Sequence, residues 1–260
     1  MNRISTALAQ YRANKKTILI SYVTPEFPIK GTTLPIILAL EQSGAGMIEV
    51  GIPFSDPLAD GPTIQHSSEI AIKNGATIRY ILELIAEART KTDIPLILMG
   101  YVNPILNYGL EQFLKDAKKA GVDGLIIPDL LPEESDEYRS LCKQNGLSMV
   151  FLVAPTSSEK RIQYIDSIST DFTYCVSVTG VTGARSSFGD NFDQYLSRVK
   201  KNTTKPFVVG FGINNKEQIV RIASYADGAV VASALLQAMS DKKNINDVVV
   251  SARQFISTLV

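Results

Sequence analysis

The chain has 260 residues, 45% of them hydrophobic, and its 26 basic and 26 acidic residues give a formal net charge of zero. This length is ordinary for one α/β barrel. The absence of a basic excess argues against a nucleic acid or an anionic membrane as the main partner, and no apolar run is long enough to span a membrane. We therefore expect one globular domain over residues 1–260 that is located in the cytoplasm.

The first predicted element is a short N-terminal helix. Ile4, Ala7, Leu8 and Tyr11 recur at helical spacing before a first strand that starts near Ile18. The same stretch carries basic residues and no acidic one, which superficially resembles a transit peptide. We interpret it as an extra helix that packs on the domain.

Eight apolar runs predict buried strands. They cover residues 18–23, 47–52, 96–99, 125–127, 149–153, 172–176, 207–209 and 229–231. Each run is almost continuous in apolar residues, so both of its faces must be covered, and this is typical of a parallel sheet.

Helical patterns alternate with these strands. Apolar spacing predicts helices around residues 78–85 and 110–117, the second ending at Gly121, and a final helix over 248–259. Thr156-x-x-Glu159 and Asn214-x-x-Glu217 resemble capping boxes, and Pro132 suits a first helical turn. Eight βα units indicate a single (β/α)₈ TIM barrel. A doubly wound open sheet is the alternative, but it more often shows a glycine-rich fingerprint after the first strand, and none is present.

Two acidic residues mark the carboxyl end of the second strand, where a barrel places its active site. Glu49 interrupts an apolar run, and Asp60 ends a loop that three prolines make stiff. Burial would raise the pKa of Glu49 and suit it to general acid/base catalysis near neutral pH. The structural alternatives are a buried basic partner for Glu49 or a position on an edge strand.

Glycine and small residues follow the later strands. Gly210-Phe211-Gly212 and Ala232-Ser233 each precede a predicted helix, so backbone N–H groups there can bind an anion such as phosphate. The glycine-rich segment 180–189 resembles a mobile lid, although an ordinary solvated loop would look the same. Together with the two acids, these features predict an enzyme that acts on a phosphorylated small molecule.

Other chemistries have little support. No lysine lies centrally in a strand, so a Schiff base is not indicated. His66 is the only histidine and cannot by itself build a histidine-rich metal site or a Ser-His-Asp triad. Cys142 and Cys175 lack CxxC spacing, which argues against a zinc site or a disulfide framework. We expect no metal.

The motifs closely resemble those of the tryptophan synthase α subunit family over essentially the whole chain. The most specific runs from Ile48 to Gln65, and Tyr101-x-Asn103-Pro104, Pro128-Asp129, Gly180-Val181-Thr182-Gly183 and Gly210-Phe211-Gly212 accompany it. The resemblance implies a carbon–carbon lyase of tryptophan biosynthesis. It would cleave indole-3-glycerol phosphate by a retro-aldol reaction to indole and glyceraldehyde 3-phosphate.

The resemblance also assigns roles to individual positions. It implies that Glu49 shuttles protons at the indole C3 and the glycerol hydroxyl, and that Asp60 binds the indole N–H and stabilises positive charge on the ring. The implied substrate-binding residues are Tyr22, Met99, Ile126, Tyr174, Thr182 and Phe211, and the implied phosphate-binding residues are Gly183, Gly212 and Ser233.

The family likeness further implies a partner. A tryptophan synthase β subunit would bind at Pro53, Phe54 and Asp56, and we expect Phe54 and Asp56 to be exposed there, at the mouth of the barrel. The subunits would form an α2β2 heterotetramer, and the β subunit would hold the pyridoxal phosphate, so this chain itself would need no cofactor. Two positions depart from the family pattern. Ala232 stands where a glycine usually precedes the phosphate-site serine, and the turn at 24–28 lacks the usual glycine.

Two other functions stay open at this point. One is a barrel isomerase or epimerase that acts on a different sugar phosphate, which release of indole from indole-3-glycerol phosphate would exclude. The other is a non-catalytic activator of a β subunit, which Glu49-dependent lyase activity of the isolated chain would exclude.

Overall fold

The computed structural model describes residues 2–176, 191–210 and 212–260. In this part of the chain the strands are β1 Ile18–Val23, β2 Met47–Gly51, β3 Leu96–Met99, β4 Gly124–Ile126, β5 Ser148–Val150, β6 Leu152–Val153, β7 Thr173–Val176, β8 Phe207–Gly210 and β9 Gly228–Val231. The helices are α1 Arg3–Ala13, α2 Thr33–Gln42, α3 Pro62–Lys73, α4 Ile78–Arg89, α5 Val102–Tyr108, α6 Leu110–Ala120, α7 Asp136–Gln144, α8 Glu159–Ile168, α9 Asn191–Asn202, α10 Lys216–Ala223, α11 Ser233–Met239 and α12 Ile245–Ser257. A 3₁₀ turn, Pro132–Glu134, precedes α7.

The sheet closes on itself. Its order is β5-β4-β3-β2-β1-β9-β8-β7-β6, and each pairing in the described residues is parallel. The two end strands, β5 and β6, are consecutive pieces of one extended segment that only Phe151 separates. The predicted (β/α)₈ barrel is therefore confirmed, and the open doubly wound sheet is excluded. The fifth predicted strand is split because its first half pairs with β4 and its second half with β7.

The barrel interior is a packed core. Alternate residues of each strand point inward, and they form one apolar cluster with the N-terminal helix. Its buried members are Ile4, Leu8, Ile18, Ile20, Met47, Ile97, Ile126, Val150, Phe172, Tyr174, Val208 and Val230. Helix α1 thus closes the amino-terminal end of the barrel, which confirms the extra helix. An ion pair from Arg3 Nη1 to Asp123 Oδ1, at 3.1 Å, helps to hold it there.

Two predicted helix starts are wrong by one or two residues. Helix α8 is capped by Ser158, whose side chain accepts from the Arg161 N–H, rather than by Thr156. Helix α10 is capped by Asn215 rather than Asn214, and the Gln218 side chain accepts from the Asn214 N–H. In both cases a hydroxyl or amide one or two residues further along meets the free N–H groups of the first turn. The stop at Gly121 is confirmed, with a left-handed φ of 92°.

The turn after β1 is built around a buried acid. Glu26 has a φ of 60°, and its carboxylate accepts from the Gly31 N–H and from the Thr33 hydroxyl, both at 2.6 Å. The Asn74 side chain donates to the Glu26 carbonyl at 2.7 Å. These bonds offset the left-handed backbone that glycine would adopt without strain, so the unusual turn is a well-anchored one.

Within the described ranges, none of the helices combines the length and the apolar character needed to cross a membrane.

Candidate active site

Glu49 lies at the centre of the site and has no neutralising partner among the described residues. It is completely buried on β2, with Tyr22 of β1 beside it on one side and Ile97 of β3 on the other. Neither carboxylate oxygen has a hydrogen-bond partner there, so a buried basic partner and an edge strand are both ruled out within that part of the chain. Burial raises the pKa of Glu49 to about 8, which leaves the carboxyl mostly protonated at pH 7.

Asp60 is held at the end of the proline-rich loop. The Tyr101 hydroxyl donates to Asp60 Oδ2 at 2.9 Å, and Gln65 Nε2 donates to the Asp60 carbonyl at 3.0 Å. Burial raises the pKa of Asp60 to about 6, while the Tyr101 hydrogen bond acts in the opposite direction. At pH 7 the two acids therefore differ in protonation state, with Glu49 neutral and Asp60 ionised.

Two tyrosines, one on β1 and one on β7, lie near these acids in the barrel interior. Tyr22 and Tyr174 are buried, and both pKa values rise because of burial and the nearby charges of Glu49 and Asp60. Each ring lies over a glycine of the neighbouring strand. A Cβ on Gly51 would be 2.9 Å from Cζ of Tyr22, and one on Gly210 would be 2.7 Å from Cε1 of Tyr174. Glycine at these two positions makes room for the phenols.

The other interior residues form an apolar wall next to the acids. Met99 and Ile126 are neighbours across β3 and β4 and belong to the interior cluster, Met99 partly buried and Ile126 fully buried. Three residues expected at the site, Thr182, Gly183 and Phe211, lie outside the described residues, as does the expected lid segment 180–189.

Two of the expected phosphate-binding residues follow adjacent strands. Gly212 comes after β8, and Ser233 begins α11 one residue after the end of β9, which pairs with β8. Gly212 has a φ of 23°, in the range that favours glycine, and a Cβ there would meet no atom of the described residues within 4 Å. Ala232 has a φ of −128°, which does not require glycine. Gly212 and Ser233 therefore lie at the carboxyl ends of two adjacent strands.

The loop expected to bind the partner differs from the prediction in the exposure of one side chain. Asp56 is exposed and Pro53 is partly exposed, but Phe54 is only partly exposed because its ring packs on Tyr101, with centroids 5.5 Å apart. The prediction of an exposed phenylalanine is wrong. The exposed apolar side chain of this loop is Leu58, at 93% exposure.

Sequence reasoning did not assign roles to Tyr101 and Asp129, although it noted both motifs. The Tyr101 hydroxyl contacts Asp60, and the Asp129 carboxylate accepts from the Val102 N–H at 3.0 Å. Their positions directly after β3 and β4 were the available signal, since residues there meet at one end of a barrel. The contact partners could not be read from the sequence.

The arrangement suits proton transfer. A neutral acid, an ionised acid and two phenols lie within electrostatic reach of one another at the barrel interior, where burial strengthens charge interactions. No group of three or more metal-binding side chains occurs among residues 2–176, 191–210 and 212–260.

Comparison with known proteins gives a consistent result. The family model described as "Tryptophan synthase alpha chain" matches residues 8–258. Proteins named tryptophan synthase alpha chain from Pelodictyon phaeoclathratiforme and Chlorobium chlorochromatii are 47% and 48% identical to the chain. The first comparison covers 99% of this chain and 98% of the relative, and the second covers 92% and 91%.

A crystal structure of a tryptophan synthase complex from Pyrococcus furiosus contains a similar chain. The two chains are 36% identical and superimpose with a TM-score of 0.86, over 93% of this chain and 97% of the other.

Proposed function

The chain belongs to the tryptophan synthase α chain family, a family of lyase-type enzymes of tryptophan biosynthesis, and from this premise we propose that it cleaves indole-3-glycerol phosphate. The products are indole and glyceraldehyde 3-phosphate. The observation that carries the proposal is the pairing of Glu49, neutral and without a partner in the described interior, with Asp60, which is ionised at neutral pH.

Each acid has one task in the proposed reaction. Glu49 donates its proton to C3 of the indole ring, and Asp60 stabilises the positive charge that then develops at the ring N–H. The Glu49 carboxylate takes the proton of the glycerol hydroxyl next to C3. The carbon–carbon bond breaks as that oxygen becomes an aldehyde, and the bonding electrons return to the ring. The net result moves one proton from the hydroxyl to C3 and leaves Glu49 protonated.

The remaining residues bind the substrate in this proposal. Tyr22, Met99, Ile126, Tyr174 and Phe211 surround the indole ring, and Thr182 contacts Asp60. Gly183, Gly212 and Ser233 bind the phosphate through backbone N–H groups and a hydroxyl. The positions of Gly212 and Ser233 after the adjacent strands β8 and β9 support the phosphate site.

A tryptophan synthase β subunit is the proposed partner, in an α2β2 assembly. It would contact Pro53, Phe54 and Asp56, take up the indole and hold the pyridoxal phosphate, while this chain works without a cofactor or a metal. The exposed Leu58 on the same loop and the relative solved as a tryptophan synthase complex support this partnership.

A direct test is indole release from indole-3-glycerol phosphate by the wild-type chain and by Glu49→Gln and Asp60→Asn. A general acid/base group contributes about 10²–10⁴-fold, so Glu49→Gln should lose at least that much activity while the fold persists. Asp60→Asn should also be severely impaired, because an amide cannot stabilise the positive ring.

The exposed Glu87→Gln is the matched control and should retain full activity. Wild-type turnover in Glu49→Gln would refute the mechanism. Failure of the wild-type chain to release indole, alone and with a β subunit, would refute the function and leave an isomerase, an epimerase or a non-catalytic activator.

A further inference from the structure

Tyr101 contacts the proline-rich loop at three separate points. Its hydroxyl donates to Asp60 Oδ2 at 2.9 Å and accepts from the Ala59 N–H at 3.1 Å, and its ring packs on Phe54. A tyrosine that touches both ends of a loop restricts where the loop can place its last residue. Here that residue is Asp60.

Tyr101 is itself fixed from the next strand of the barrel. It immediately precedes α5, whose first residue, Val102, donates its N–H to Asp129 at 3.0 Å to Oδ1 and 3.3 Å to Oδ2. Asp129 follows β4, Tyr101 follows β3, and Asp60 follows β2. One short chain of contacts therefore connects three successive βα loops at the mouth of the barrel.

We propose that Tyr101 is a positioning residue for Asp60, and that Asp129 fixes Tyr101 by holding the start of α5. This inference rests on the proposed role of Asp60 at the indole ring. The Tyr101 hydroxyl has one proton and donates it to Asp60 Oδ2, so Oδ1 stays available to accept from the indole N–H. The same bond favours the ionised form of Asp60 that the reaction needs.

The hydrogen bond from Tyr101 to Asp60 should affect the pH dependence of the reaction, because it favours the ionised form of Asp60. The titratable groups that face Asp60 from the packed elements of the described chain are Tyr101, Tyr22 and Tyr174, and Glu49 is the other acid of the interior. All three phenols stay neutral near pH 6, because their pKa values are raised above 10. A shift of the acid limb therefore reflects Asp60 and not a tyrosine.

Tyr101→Phe removes the hydroxyl and keeps the ring on Phe54. We expect roughly a tenfold loss of kcat/KM at pH 7, the scale of one hydrogen bond to a charged group. We also expect the acid limb of the pH profile to move to higher pH. Tyr108→Phe is the matched control, because Tyr108 donates to Asp116 at 2.8 Å on the neighbouring helical pair. It should change neither the rate nor the profile.

The Asp129 variants test the second link. Asp129→Ala should lower activity and shift the acid limb in the same direction. Asp129→Asn, which keeps an acceptor for the Val102 N–H, should restore most of the loss. Equal behaviour of the two variants would remove Asp129 from the proposal.

A direct titration separates this inference from the proposed function. The ¹³C resonance of the Asp60 carboxyl, assigned by its disappearance in Asp60→Asn, gives the Asp60 pKa without any substrate. A higher Asp60 pKa in Tyr101→Phe than in the wild type supports positioning by Tyr101. An unchanged Asp60 pKa together with an unchanged acid limb overturns it. If the wild type releases no indole, the proposed function fails, while the titration still decides whether Tyr101 bonds to Asp60.

Discussion

The ring of Tyr22 fills the space above Gly51 on the neighbouring strand. The register sets Tyr22 of β1 beside Glu49 of β2, and the ring leans past Glu49 to the glycine two residues further along. A Cβ at Gly51 would be 2.9 Å from Cζ of Tyr22 and closer still to its hydroxyl. The absence of a side chain at Gly51 thus decides where the phenol of Tyr22 lies next to the buried Glu49.

Gly51→Ala should displace Tyr22 and disturb the site. Overpacking of this kind typically costs about 1–3 kcal/mol of unfolding free energy, which denaturant titration can measure. In the Tyr22→Phe background Gly51→Ala should lower the free energy of unfolding by less, because the Tyr22 hydroxyl, the atom nearest to the new Cβ, is absent. An equal cost in both backgrounds would show that the alanine is accommodated without moving the hydroxyl.

Glu49→Gln should be more stable than the wild type at neutral and alkaline pH. The folded-state pKa of about 8 lies above the ordinary glutamate value of 4.5, so between these two pH values the folded chain holds a proton that the unfolded chain has lost. Stability of the wild type therefore falls as pH rises from about 4.5 to about 8, by roughly 3–5 kcal/mol from this one group. The neutral amide has no such cost.

Thermal and denaturant unfolding at pH 4.5 and pH 8 check this prediction. The difference in free energy of unfolding between Glu49→Gln and the wild type should be small at pH 4.5 and large at pH 8. The exposed Glu87→Gln should show no such growth. A gap that is independent of pH would mean that Glu49 is ionised in the folded chain.

The pH profile of kcat/KM should be bell-shaped. Activity needs Asp60 ionised and Glu49 protonated, so it should rise with pH through about 6 and fall through about 8. Steady-state kinetics of indole release between pH 5 and pH 9 would define both limbs. A rate that keeps rising above pH 8 would contradict the assignment of Glu49 as the proton donor.

Ala232→Gly should bind substrate equally well or better. The substitution removes a Cβ next to the proposed phosphate site, and the backbone can then approach the phosphate more closely. Gly212→Ala should weaken substrate binding, because a φ of 23° favours glycine and the added Cβ would lie beside the proposed phosphate site. KM for indole-3-glycerol phosphate measures both. A marked rise in KM for Ala232→Gly would show that the alanine itself contributes to binding.

The loop from Pro53 to Asp60 should transmit partner binding to catalysis. Asp56→Ala and Leu58→Ala both alter its exposed surface, so each should weaken the activation of indole release by a β subunit. Val220→Ala is the control, because Val220 is also an exposed apolar residue but lies on α10. Titration of a β subunit into each variant compares the activation curves. Identical curves for all three would remove the loop from the interface.

Some predictions about single residues, namely two helix caps and the exposure of one side chain, were corrected by the structure. The capping residues of α8 and α10 were misplaced because two or three polar residues in a row can each serve as the cap, and the backbone path chooses among them. Phe54 was expected to be exposed, but its ring packs on Tyr101 from another loop. The roles assigned to all the site residues stay predictions, and Thr182, Gly183 and Phe211 also lie outside the described residues.

The sequence by itself determined the barrel and the pair of acids. Nearly continuous apolar strands that alternate with amphipathic helices can be buried only in a parallel sheet covered on its outer face, and an acid inside such a strand, Glu49, is costly unless it acts. Only the tertiary structure decided which side chains contact or flank the two acids. Tyr101 reaches Asp60 across 41 residues, and Tyr22 meets Gly51 through the register of β1 on β2. Such contacts depend on which strands become neighbours and on their offset, and these follow from closure of the whole sheet, which no local segment of the chain encodes.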